Sequence, residues 1–163
     1  MRTLRGSCHC GAVRFSVGTH TLVPYMRCYC SICRKSAGGG GYAINLMGEA
    51  ETLTVEGMEH VTAYVVRRSA DPDAHTGDAQ RHFCRHCGSA LWGSDKRWAQ
   101  WVYPFASAID SDLPAPEDRV HIMLGSKANW VAVPEAGSHD ARFEEYPDRS
   151  VADWHKDHGV WEA

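Results

Sequence analysis

The chain has 163 residues, 44% of them hydrophobic and 23% charged, with 17 Lys and Arg against 20 Asp and Glu. That size and composition fit one globular domain over residues 1–163 with a core of its own, and the net charge of −3 excludes the basic surface of a general nucleic-acid binder. No apolar run approaches the roughly 18 residues that span a bilayer, and no apolar stretch follows the positive charges of residues 1–6, so no membrane or secretory segment is expected and a cytoplasmic location is.

In chain order, residues 11–17 alternate as a strand with Val13, Phe15 and Val17 on one face. Cys8-His9-Cys10 lies just before it, on an extended edge or turn where the two cysteines share a side and His9 faces away. A triple-cysteine stretch, Cys28-Tyr29-Cys30-Ser31-Ile32-Cys33, leads into a flexible loop over 36–41 that contains four successive glycines. Residues 42–46, 51–55 and 61–66 read as short strands, with Gly48 and Gly57 in the breaks. The polar stretch 67–80, with Asp71-Pro72-Asp73, reads as an exposed loop.

Arg81-His82-Phe83 then runs into a knuckle, Cys84-Arg85-His86-Cys87-Gly88, with 89–93 as the returning strand. Residues 101–107 and 119–124 are further strands, separated by a proline-containing linker. Ser150 with Asp153 marks a helix start, and Gly159 its stop. It is the one convincing helix, so a mainly β fold of short strands is expected.

Seven cysteines carry the functional signal. An odd number leaves one thiol outside any closed disulfide framework, and their close spacings are those of metal ligation rather than of long-range crosslinks. Zinc takes four protein ligands at a structural site and three, with one position open, at a catalytic site; seven divides accordingly. The Cys84/Cys87 knuckle needs a second pair. Cys8 with Cys10 would complete it and leave Cys28, Cys30 and Cys33 as a compact triad. Cys30 with Cys33 would make a conventional zinc ribbon and leave an odd remainder. Compactness favours the first.

Around the triad, Arg34, Lys35 and the glycine run, including Gly39 and Gly40, are candidate contacts for the carboxylates of an acidic thiol; the ordinary reading is a solvated pair and a loop. His82, His86 and His121 are candidates for a fourth ligand or a general base, and His121 is the speculative catalytic one. Trp92, Trp98, Trp101 and Trp130 read as core or rim, and Glu144, Glu145 and Asp148 as a solvated acidic face.

Three stretches, residues 6–13, 28–35 and 83–89, together with Val120-His121-Ile122 and residues 126–130, resemble the glutathione-dependent formaldehyde-activating enzymes, whose domain is shared with centromere protein V. The resemblance runs from about residue 4 to residue 147 and rests on the order and spacing of all seven cysteines. It implies a structural zinc on Cys8, Cys10, Cys84 and Cys87, a catalytic zinc on Cys28, Cys30 and Cys33, and an Mss4-like arrangement of twisted antiparallel sheets. It also implies a carbon–sulfur lyase or synthase that joins glutathione to formaldehyde as the S-hydroxymethyl adduct, or cleaves it. The family commonly carries histidine between the first two triad cysteines, where this chain has Tyr29. In an extended segment that side chain points away from the metal. The partners expected are a small thiol and an aldehyde. The rival readings are a lyase for a different thiol adduct and a non-catalytic, zinc-stabilised protein-binding module.

Overall fold

The computed structural model describes residues 1–66, 78–134 and 140–163, so most of the loop expected over 67–80 lies outside the described residues. Its elements are β1 (Arg2–Ser7), β2 (Arg14–Thr19), β3 (Met26–Cys28), α1 (Ser31–Ser36), β4 (Ala43–Ile44), β5 (Gly48–Glu49), β6 (Thr54–Glu56), β7 (Val61–Val65), β8 (Ala79–Cys84), β9 (Ala90–Asp95), β10 (Trp101–Pro104), β11 (Val120–Ile122), β12 (Ala141–Arg142) and α2 (Val151–Asp157). They form a mixed fold of short helices and three sheets, two of them antiparallel and the third mixed. The strand orders are β1-β2-β6, β5-β10-β9-β8-β7 and β12-β11-β3-β4.

The expected alternation operates in β2, where Phe15 and Val17 are buried and Arg14 is exposed. Its hairpin partner β1 reads as polar in sequence, because Leu4 is its one large buried side chain. Gly6 is required there. A Cβ at that position would stand 2.3 Å from the Ala108 carbonyl oxygen and 2.5 Å from the Phe15 ring. Leu4, Phe15 and Val17 join Leu91, Trp92 and Val102 in one core, while Tyr25, Met26, Phe105, Val120 and Ile122 fill a second beneath the third sheet.

Three expectations need correction. The sheets are not wholly antiparallel, since β11 runs parallel to both β3 and β12. The long chain between β3 and β11 imposes no hairpin direction on that pair. The C-terminal helix is present, with the Ser150 side chain accepting the Asp153 N–H at 3.1 Å and Gly159 at φ +66° beyond it, but it is not the one helix. Helix α1 is too short to show a 3.6-residue apolar repeat, so the triple-cysteine stretch carries no helical signal in sequence, and its last residue, Ser36, falls in the helix rather than in the expected loop. Gly48 lies inside β5 rather than in a break, where a Cβ would come within 2.6 Å of Val17. No described helix is long and apolar enough to cross a membrane.

Candidate metal centres

Two hairpin turns create the first centre. After β1 the chain turns through Cys8–Cys10, with Gly11 at φ +74° donating its N–H to the Cys8 carbonyl at 3.0 Å. After β8 it turns through Cys84–Cys87, with Gly88 at φ +72° donating to the Cys84 carbonyl at 2.9 Å. A bond from the His9 N–H to Ser89 Oγ, at 3.0 Å, ties the turns together. Cys8, Cys10, Cys84 and Cys87 thereby bring four Sγ atoms within 4.8 Å of one another, with Cys8 and Cys84 buried and the other two exposed.

This donor set fits zinc. Sulfurs about 2.3 Å from a tetrahedral ion would stand about 3.8 Å apart; Cys8 and Cys10 are at 3.5 Å, and Cys10 and Cys84 at 3.8 Å. The Val13 N–H donates to Cys8 Sγ at 3.2 Å, and Ser89 Oγ lies 3.2 Å from Cys87 Sγ. The Ser89 side chain, with the Ser89 and Cys10 N–H groups, lowers the Cys87 thiol to about 5 and favours its thiolate.

The second centre is local. Cys28 ends β3, Cys30 caps α1 by accepting the Cys33 N–H on its sulfur at 3.3 Å, and Cys33 sits in the first helical turn. Their three sulfurs also lie within 4.8 Å of one another, with Cys28 and Cys33 buried and Cys30 partly so. The crowded sulfurs oppose one another: hydrogen bonds from Cys28 and Cys33 lower the Cys30 thiol to about 2, while Cys30, Cys33 and burial push Cys28 far above the thiol range. A cation relieves that conflict, so the soft, crowded donor set fits zinc here too. Among the described residues no histidine or carboxylate joins the three sulfurs.

Between the ligands, Tyr29 points into the protein and is fully buried. Its phenol bonds to His121 Nδ1 at 2.8 Å, and His121 Nε2 lies 3.6 Å from Asp140 Oδ2, which suits the tautomer protonated on Nε2. Asp140 in turn accepts the Arg119 N–H at 3.1 Å. Burial, with help from Arg27, lowers the basicity of His121 against the pull of Asp140. His121 is thus an enclosed link behind the triad loop.

The other candidates separate. His82 stacks on Trp92, and His86 bonds to His60 at 3.0 Å. Trp92 is core, Trp98 and Trp130 are exposed, and Trp101 is half-buried. Arg34 and Lys35 lie on α1, Lys35 exposed and Arg34 with its Nε enclosed. Gly39 and Gly40 form an exposed turn with nothing within 4 Å of a would-be Cβ, whereas Gly41, at φ +94°, is pressed against Val131. The sequence reading missed Arg81. From β8 its Nη2 reaches Cys33 Sγ at 3.7 Å, and its guanidinium crosses Gly93, where a Cβ would stand 3.3 Å from Nη1. A glycine inside a strand was the available signal, because it often marks a close approach.

Comparison with known proteins converges on the same stretches. Residues 3–139 match the family model described as glutathione-dependent formaldehyde-activating enzyme. A Halomonas elongata protein named "Putative glutathione-dependent formaldehyde-activating enzyme" is 56% identical over 160 residues, covering 98% of this chain and 99% of its own. A crystal structure of a Rhodobacter sphaeroides protein superposes with a TM-score of 0.53 at 27% identity, covering 68% of this chain and 91% of that one. With a match across most of its length and a relative identical at more than half of the aligned positions, the chain belongs to the glutathione-dependent formaldehyde-activating enzyme family.

Proposed function

We propose that this chain is a zinc-dependent carbon–sulfur lyase or synthase, one domain over residues 1–163, that joins glutathione or a similar thiol to formaldehyde as the S-hydroxymethyl adduct, or cleaves that adduct. Two ions are assigned: a structural zinc on Cys8, Cys10, Cys84 and Cys87 and a catalytic zinc on Cys28, Cys30 and Cys33. The observation that carries this reading is the inequality of the two groups, four sulfurs in one and three in the other. The paired hairpin turns of the first group support an Mss4-like description of the sheets. Unpaired thiols and a soluble-protein composition fit the cytoplasm.

Zinc bound by three cysteines supplies an electrophilic ion with room for one more ligand, next to which a thiol and an aldehyde can meet. The protein's part is placement. Helix α1 sets the Cys30–Cys33 spacing through its cap, and the buried Tyr29–His121 hydrogen bond anchors the loop between Cys28 and Cys30. Arg81 brings a positive charge to Cys33 and favours its thiolate. Bringing the thiol sulfur and the carbonyl carbon together in one orientation is the main acceleration such a site offers, because three thiolates leave the ion electron-rich.

Exchange spectroscopy of formaldehyde with glutathione, with and without zinc-loaded protein, is the direct test. Faster exchange with the loaded protein is expected. No acceleration with glutathione or any of several small thiols would remove the enzymatic reading.

A further inference from the structure

Helix α1 and the face of the β7–β8–β9 sheet enclose a cleft of about 560 Å³, within the range of small-molecule sites. Ser31 and Ile32, from the triad loop, form one wall, and Arg81 and Phe83, from β8, form the other. Two lining residues carry charge, Lys35 and Arg81, both positive. None is acidic, although the chain as a whole is negative.

Arg81 is held rather than free. Its Nη1 donates to the Gln80 carbonyl at 3.0 Å, its Nη2 reaches Cys33 at 3.7 Å, and it lies close over Gly93, where a Cβ would stand 3.3 Å from Nη1. Its Nε is buried without a hydrogen-bond partner, and among the described residues no carboxylate pairs with it. A fixed, half-buried guanidinium with spare donors is a pre-organised receptor for a planar anion. Its position beside Cys33 puts that anion within a few bonds of any sulfur delivered to the triad.

We propose that this cleft is the carboxylate subsite for the thiol substrate, with Arg81 the specificity-determining residue and Lys35 a second cation at the rim. The inference rests on the reading of the triad as the reacting centre and adds to it the residues that would read the thiol's carboxylate. It separates the thiol-bearing end, at the cysteines, from the charged end, between α1 and β8. The planar fork of arginine suits position 81, since its two Nη atoms reach Cys33 and the Gln80 carbonyl with further N–H donors left for a ligand.

The test uses zinc-loaded protein and S-methylglutathione, which keeps both carboxylates but has no free thiol, with its diester as the control. Calorimetry should show the diacid binding about 10- to 100-fold more tightly than the diester. Arg81→Met, compared at equal zinc loading, should remove that preference, and Lys35→Met should reduce it several-fold. In exchange kinetics, Arg81→Met should raise KM for glutathione at least about 10-fold more than it raises KM for 2-mercaptoethanol, since any loss through the Cys33 thiolate is common to both thiols. Equal wild-type affinity for diacid and diester, or an undiminished preference in Arg81→Met, would overturn the subsite. Should Arg81→Met fail to fold, Lys35→Met reads the same cleft, and an undiminished preference there would overturn the assignment. Absence of exchange with every thiol would instead count against the enzymatic reading, and binding of the thiol-free probe reads the cleft independently of it.

Discussion

The two cysteine groups use the same side chain for different mechanical ends. Cys8, Cys10, Cys84 and Cys87 join two hairpins far apart in sequence, at the edge of the core built by Leu4, Phe15, Leu91 and Trp92. Cys28, Cys30 and Cys33 lie within one strand end and one helical turn, and their loop is already held from behind by Tyr29 and His121. The first group ties two hairpins together, whereas the backbone of the second is also held by the α1 cap and by the Tyr29–His121 hydrogen bond. The same cleft is lined by Ser31 and Ile32 beside the triad and by Gly88 beside Cys87, but only the triad has a cleft-lining guanidinium, that of Arg81, reaching one of its sulfurs. The two groups thus differ in how the backbone holds them and in the charge that stands beside them.

The contrast breaks most sharply under ligand removal. Cys84→Ser should abolish cooperative thermal unfolding or lower Tm by more than about 10 °C, because binding free energy at such a site is folding free energy. Cys30→Ser should release one zinc per chain and lower Tm by only a few degrees. Equal collapse of the two variants, measured by calorimetry alongside metal content, would erase the division.

Acid should expose the core beneath the third sheet next. His155 is buried against Tyr25, and desolvation lowers its pKa to about 4 from the ordinary 6.5. The unfolded chain therefore binds a proton that the folded one excludes between those values. The contribution is fully present above pH 6.5 and falls by up to about 3 kcal/mol as the pH approaches 4. Urea unfolding at pH 7 and pH 5 should show this loss, and His155→Leu should flatten it; an unchanged slope in the variant would refute the assignment.

A smaller effect sharpens the role of the loop anchor. Tyr29→Phe leaves the buried His121 Nδ1 without its donor and should cost about 1–2 kcal/mol in urea unfolding while both zinc ions are retained. Loss of the triad zinc in that variant would show that the loop depends on the phenol for ligation. The smallest effect is expected in the glycine run. Gly39→Ala meets open space and should change stability by no more than about 0.5 kcal/mol and exchange kinetics not at all. A rise in KM for glutathione there would return the loop to the binding site.

Much of this was legible in the chain because it depends on short-range pattern. The alternation of Val13, Phe15 and Val17, the helix cap at Ser150 and the three cysteine clusters need only neighbouring residues to be read. Other features depend on residues that meet only after folding. Strand β1 is visible as a strand through its register with β2, α1 through its cap at Cys30, and the parallel direction of β11 through its place beside β3. The turn at Cys8 and Cys10 meets that at Cys84 and Cys87 across 74 residues, a closure that spacing in one dimension left open between two pairings. Arg81 was invisible for the same reason: its nearness to Cys33 comes from the register of β8 on Gly93, and no periodicity encodes a side chain's path over a neighbouring strand. Composition and spacing specify which atoms can bind a metal. Which of them share an ion, and what charge stands beside them, follows from how the sheets close, because these contacts join residues that no local pattern relates.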